Sequence, residues 1–377
     1  MKNLFVLLLL TVLTVKGFAQ TISQYYDKRN FAEVIKFAKD ENKLSGNELY
    51  MVGYAYFVQE NDAKAIAFYD KAIKKGLDEA YVYYYKALAL RYSKQYKEAV
   101  KTFDIAIARD PQNQEYVSEK AFLYYYKEEY DEALKLFEAA ATMPNDFQAP
   151  HYMVPHIYHL KGNYQKALTG YYDALKNISK ENKYYTTTLA DIGKLEYTVT
   201  KNYIKSAKAY ADIVNLKPAE YDIYSKLIKS YNAAGIYKRA DSVFLVLKAA
   251  YERNELSKYY TEFGSTAIDE YEYNGQNMTV YRYFKEPKEM LDVSYKVYRL
   301  NKAGDKVERT FMVEKTIKFD DKGASHLLCE RDKSTNTHKT YAYGWAGDEI
   351  PLADLKKAVE LVLDGKMNPA ASSRSGK

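Results

Sequence analysis

The chain is poor in the residues from which most catalytic and cross-linking chemistry is built. Its 377 residues hold one cysteine, one tryptophan and five histidines. The lone thiol, Cys329, cannot close an internal disulfide, so the fold must rest on its hydrophobic core. It lies in the strand-like run 325–330, where a buried inert thiol is expected rather than a nucleophile. HExxH, a nucleophile elbow, a phosphate-binding glycine loop and a dinucleotide fingerprint are all missing, which removes the commonest hydrolase and nucleotide-dependent classes. Beyond the first residues no apolar run approaches membrane-spanning length, which excludes a multi-span transporter. A dominant charge is missing as well. Lys and Arg number 56 against 50 Asp and Glu, a formal +6, and they are spread among one another as on a solvated surface, not gathered into a nucleic-acid-binding stripe.

What is present is 47% hydrophobic residues and 42 tyrosines. Tyrosine packs on one side of its ring and hydrogen-bonds at the other, which suits helix stacking and binding surfaces alike. Residues 1–19 combine a basic start at Lys2, an apolar run from Leu4 to Val15, and small Gly17 and Ala19. That is the pattern of a secretory signal peptide cleaved before Gln20, with a retained N-terminal anchor as the alternative. The expectation is an exported chain, periplasmic or secreted, soluble after cleavage, with no transmembrane segment in the mature form. Loss of Lys2 and Lys16 with no acid takes the formal charge from +6 to +4.

A repeat governs the next two thirds. Ala65, Ala99, Ala133 and Ala167 recur at an interval of 34, with Tyr69, Phe103, Phe137 and Tyr171 four residues on and Ala72, Ala106, Ala140 and Ala174 three beyond. Upstream, Gly53, Ala87, Ala121 and Pro155 keep the same interval, as do Tyr56, Leu90, Tyr124 and Tyr158. Steps of four and three place Ala99, Phe103 and Ala106 on one helical face. The polar turn at residues 93–96 and the closing Asp110-Pro111 make each unit an antiparallel helix pair. Pro155 predicts a kink or a shifted start in its helix. The register then slips by about five residues, which points to a lengthened second helix or loop around 179–185.

In period and in residues this resembles the tetratricopeptide repeat. The units 80–113 and 114–147 match most fully, the unit beginning at Gly46 closely, and 148–181 well apart from Pro155. The resemblance implies an α-solenoid over 46–262, with 20–45 as degenerate capping helices. It also implies a concave face lined by the first helix of each unit. One residue along a helix turns a side chain by roughly 100°, so the groove columns beside the packing pairs are Tyr50, Tyr54 and Phe57; Tyr84, Leu88, Arg91 and Tyr92; Phe122, Tyr125 and Tyr126; and Tyr152, His156 and His159. Later columns turn polar: Asp191, Leu195 and Thr198, then Ser225, Lys229 and Asn232. The aromatic columns either pack against neighbouring units or form an open binding surface. Chaperone-binding members of the family clamp a terminal carboxylate with Lys and Asn over several repeats. Lys229 and Asn232 supply such a pair in one unit alone, which does not carry that specificity.

From about Tyr271 the period changes to two. Val293, Tyr295 and Val297 alternate with Ser294, Lys296 and Tyr298, and Phe311, Val313, Ile317 and Phe319 with Met312, Glu314, Thr316 and Lys318. Turn signals at 274–275, 302–305, 320–323 and 333–336 predict an antiparallel meander of about five strands. Leu352, Leu355, Val359 and Leu363 form a closing amphipathic helix. The fold class is therefore α+β, with the meander and its helix over 263–366 and a disordered tail over 367–377. His156 and His159 are three apart with His151 nearby, but no acid completes a metal set, so neither a metal nor a cofactor is expected. The reading is a non-catalytic scaffold whose aromatic groove binds a protein or peptide segment of the cell envelope, in envelope assembly or secretion. Its alternatives are a glycan-binding module, or an enzyme using His326 or His338 in the sheet region.

Overall fold

The computed structural model describes residues 22–144, 147–257, 264–285, 290–300, 306–315, 326–332, 337–345 and 351–369. The signal segment, the turns at 302–305, 320–323 and 333–336, and most of the tail lie outside the described residues. The chain divides into two compact units, Met1–Tyr185 and Thr186–Lys377.

The first unit opens with α1 (residues 22–27), α2 (Phe31–Lys36) and a 3-10 segment, Phe37–Lys43. Four helix pairs follow: α3 (Gly46–Val58) with α4 (Asp62–Lys74), α5 (Ala80–Tyr92) with α6 (Tyr96–Arg109), α7 (Gln114–Tyr126) with α8 (Tyr130–Ala141), and α9 (Ala149–Leu160) with α10 (Tyr164–Asn177). Local chemistry sets the boundaries. Ser45 and Glu48 form a reciprocal capping box at the start of α3, and the Asn61 and Asn163 side chains accept from the third backbone N–H beyond them, which satisfies donors the helix leaves open. Each first helix ends in a left-handed residue at the same column, Glu60, Lys94, Glu128 and Gly162, with φ of 59, 60, 62 and 74°. Only the last is the residue type that adopts this conformation without steric cost.

The alanine columns at 65, 99, 133 and 167 are all fully buried, as are Tyr69, Phe103, Phe137 and Tyr171. A small residue on one helix admits the aromatic of its partner. A Cβ on Gly53 would meet the Tyr69 ring at 2.9 Å, closer than packed atoms approach. Pro155 lies inside α9, which runs through it as one helix, and Gly170 of α10 faces its ring with no Cβ to collide. The register slip falls around 179–185, where the sequence places it, but at the start of the next repeat's first helix and not in a lengthened second helix or loop. α10 and the loop after it keep their usual lengths, and the extra residues form an added turn in α11 (Lys183–Thr198), which has 16 residues where α3, α5 and α7 have 13.

α11 starts in the first unit and ends in the second, where α12 (Tyr203–Leu216), α13 (Tyr221–Ala233) and α14 (Tyr237–Glu252) continue the pairs. Six strands then form one antiparallel meander in chain order: β1 (Ser265–Tyr273), β2 (Gln276–Tyr283), β3 (Met290–Leu300), β4 (Lys306–Lys315), β5 (His326–Asp332) and β6 (Thr337–Trp345). β1 begins before the alternation visible from Tyr271. Its first five residues are buried on both faces apart from Ala267, and a bulge sits between Ala267 and Asp269, so no period of two marks them. α15 (Leu352–Leu363) contributes Leu355, Ala358 and Val359 to one core with Phe244 and Leu247 of α14, Ile268, Val280 and Phe284 around the first hairpin, and Phe311 and Leu328 of the sheet. Cys329 is buried on β5.

Candidate functional site

The inner faces of α3, α5, α7 and α9 carry the aromatic columns, and position along each helix decides their exposure. Residues in the N-terminal half meet the neighbouring repeat and are buried or half-buried. Tyr84 is 5% exposed, stacks on Tyr116 at 4.6 Å and donates its hydroxyl to Glu115 at 2.8 Å. Burial and the nearby carboxylates push its hydroxyl far above the usual tyrosine range. Tyr152 is buried as well, stacked on Tyr184 at 5.1 Å and on His156 at 5.2 Å. His156 sits among three hydroxyls, with Nε2 at 3.2 Å from Tyr125 and Nδ1 at 3.2 and 3.4 Å from Tyr152 and Tyr171. His159 packs edge-on against Tyr164, and its buried Nδ1 has no hydrogen-bond partner. Tyr50, Tyr54 and Phe57 are half-buried in a ring cluster with Tyr26, Phe31 and Tyr85, in which Tyr54 and Tyr85 meet edge-to-face at 5.0 Å. These side chains fill the N-terminal end of the groove with the protein's own rings.

The C-terminal ends of the same helices are open. Val58, Tyr92, Tyr126 and Leu160, 34 residues apart, are 44, 58, 63 and 47% exposed, an apolar ladder that crosses four repeats. Beside its middle rungs lies a pocket of about 650 Å³, lined by Arg91 and Tyr92 of α5, Glu119, Phe122 and Tyr126 of α7, residues 147–149 at the start of α9, and residues 182–184 at the start of α11. Four of the thirteen groove residues expected from the sequence thus share one wall: Arg91, Tyr92, Phe122 and Tyr126.

An ion pair forms the floor. Arg91 is buried, and its terminal nitrogens reach Glu119 Oε2 at 2.6 Å and the Tyr92 hydroxyl at 3.1 Å, while its Nε has no partner. The guanidinium lies 4.9 Å from the centre of the Tyr92 ring and 5.8 Å from that of Tyr126, within cation–π range. Burial pushes the Glu119 carboxyl above its usual range even though Arg91 pulls it down, so desolvation outweighs the pairing. The pocket therefore offers aromatic walls and a polar floor whose guanidinium is already committed.

In the second unit the column of α13, Ser225, Lys229 and Asn232, is occupied. β1 runs along α13, and three of its carbonyls accept from helix side chains: Ala267 from Ser225 at 2.8 Å, Ile268 from Asn232 at 2.8 Å, and Glu270 from Tyr197 of α11 at 3.2 Å. Lys229 pairs with the Glu270 carboxylate at 3.0 Å. Lys229 and Asn232, which could have suggested a terminal-carboxylate site, hold the protein's own strand.

Sequence reasoning missed Glu119, Gln148, Lys183 and Tyr184, and the outer rungs Val58 and Leu160. The rungs were legible as the 34-residue column of Tyr92 and Tyr126. Glu119 and Tyr184 reach the pocket only through the stacking of repeats, which no local pattern announces. Among the described residues no group of three or more His, Cys, Asp and Glu is placed to hold a metal ion, and no helix is long and apolar enough to cross a membrane.

The solved structure of the C-terminal part of a TPR repeat-containing protein from Cytophaga hutchinsonii is similar to this chain with a TM-score of 0.51 and 15% identity, covering 64% of this chain and 98% of that one. pilF of Pseudomonas aeruginosa follows with a TM-score of 0.43 and 17% identity, covering 58% and 96%. No protein-family model and no curated protein sequence matches the chain. The first likeness, with the paired helices and their 34-residue columns, establishes the tetratricopeptide-repeat fold for the helical part.

Proposed function

We propose that this protein is a non-catalytic scaffold that binds a protein segment along the inner face of its first unit. The observation that carries the reading is the contrast between the two inner faces. Where the column of α13 is polar, the protein's own β1 lies on it. Where they are aromatic, Tyr92 and Tyr126 stand exposed beside a pocket of about 650 Å³. Exposed rings around a desolvated polar floor are what protein interfaces use as anchoring sites. The N-terminal signal pattern supports export and a partner in the cell envelope, with assembly or secretion as the cellular role. The glycan-binding alternative rests on the same rings.

The test uses the full chain, tagged and cross-linked in its own cells, as wild type and as a Tyr92→Ala/Tyr126→Ala double variant. Both rings are exposed, so the fold survives their loss. The protein adducts of the wild type should fall at least about tenfold in the variant. Equal adduct yields would overturn the proposal, and recovery of a polysaccharide in place of a protein would favour the glycan reading. Export is tested by mass spectrometry of the chain from its source cells. The mature N-terminus should be Gln20, and a chain that still begins at Met1 would contradict export by cleavage.

A further inference from the structure

The pocket is selective in a way that its aromatic walls alone do not explain. Glu119, which lines the pocket, commits one oxygen, Oε2, to Arg91, while its other oxygen, Oε1, makes no hydrogen bond among the described residues. Arg91 has nothing comparable to offer. Its terminal nitrogens are held by Glu119 and Tyr92, and its Nε is sealed from solvent. A ligand entering between Tyr126 and Tyr184 thus meets ring faces and the open Glu119 oxygen, with the polar side chains of Gln148, Asn182 and Lys183 also on the lining.

Resting on the segment-binding reading above, we propose that the pocket anchors its partner through an aromatic side chain that carries a hydrogen-bond donor, a tyrosine or a tryptophan, seated against Tyr126 and Tyr184 with its O–H or N–H donated to Glu119 Oε1. The competing side chains fit less well. A carboxylate brings like charge to Glu119 and finds the guanidinium already taken. An ammonium or guanidinium competes with Arg91 for a single carboxylate and sets two cations side by side. A phenylalanine satisfies the rings but covers the acceptor and leaves it without a bond, which is costly for a charged oxygen. The second unit shows how these inner faces hold a segment: side-chain hydroxyl and amide donors grip the carbonyls of extended β1. The anchor therefore needs only an extended neighbourhood.

The test titrates the full chain with N-acetyl-tyrosinamide, N-acetyl-tryptophanamide, N-acetyl-phenylalaninamide and N-acetyl-lysinamide, followed by ligand-observed NMR. The tyrosine and tryptophan amides should bind about five- to tenfold more tightly than the phenylalanine amide, with the lysine amide weakest. Glu119→Gln should shrink the tyrosine-to-phenylalanine ratio to about 2 or less. Because that change also unpairs Arg91, Tyr126→Ala provides a second variant at an exposed position, and it should weaken every aromatic probe. Equal affinity for tyrosine and phenylalanine amides, preference for the lysine amide, or no binding of any aromatic probe would each overturn the proposal. Loss of cross-linked partner in the double variant, found together with any of these results, would leave the scaffold reading standing and remove only the anchor.

Discussion

Truncating Tyr84 and truncating Tyr126 should have opposite consequences, although both tyrosines lie on inner-face helices of adjacent repeats. Tyr84→Ala empties a sealed site between α5 and α7. It removes a ring stacked on Tyr116 at 4.6 Å and leaves Glu115 without the hydroxyl it accepts at 2.8 Å. A large-to-small change of this kind costs about 3–5 kcal/mol. Tyr126→Ala removes a ring that is 63% exposed, stacked on Phe122 at 6.3 Å with the planes 26° apart, and 5.8 Å from the Arg91 guanidinium. Contacts this exposed are worth about 1 kcal/mol at most. For a unit of this size, where each kcal/mol moves the midpoint by about 2–4 °C, the two variants should differ by roughly 5–15 °C. Thermal unfolding followed by far-ultraviolet circular dichroism reads this directly. Midpoints within about 2 °C of each other would refute the division of the aromatic columns into packing and presenting residues.

Two further outcomes follow from the packing and the tyrosine chemistry. A Cβ on Gly193 would come within 2.7 Å of the Tyr210 ring, so Gly193→Ala should lower stability by about 1–3 kcal/mol despite alanine's better helix propensity. An unchanged urea midpoint would show that the ring yields freely. Tyr210 is pushed up to about 12 by burial, and its stabilising contribution is therefore complete below pH 10 and lost as the pH rises toward 12. Tyr84, Tyr197 and Tyr271 are raised beyond that by the same cause. Tyrosine ionisation read by ultraviolet absorbance should thus rise steeply together with unfolding above pH 10, and a smooth titration of all tyrosines near pH 10 in the folded protein would contradict the burial described.

The repeat was legible because its physical cause is periodic. A helix pair that cannot bury its apolar face alone must present the same small and large residues to each neighbour. The columns led by Ala65 and Tyr69 record that demand residue by residue. The rotation argument separated inner-face side chains from the packing seam, but it could not tell Tyr84 from Tyr92. Both project from the same helix, and only the approach of α7 toward the N-terminal half of α5 seals one and leaves the other. The pocket was half legible. Arg91, Tyr92, Phe122 and Tyr126 fall in readable columns, whereas Glu119 is one acid among many on helices, and Tyr184 arrives through the added turn of α11. The occupation of Ser225 and Asn232 by β1 left no trace in the sequence, because their bonds go to backbone carbonyls 42 and 36 residues away, which carry no residue identity.

The central claim is that the exposed rungs of the first unit, and not its outer helices, meet another protein. A photo-crosslinking residue placed at Tyr126 in the full chain, with a second chain carrying it at the exposed outer position Ile105 of α6, tests this in intact source cells. The account predicts a discrete protein adduct from position 126 and none from 105. Adducts of equal yield from both positions, or none from 126, would contradict it.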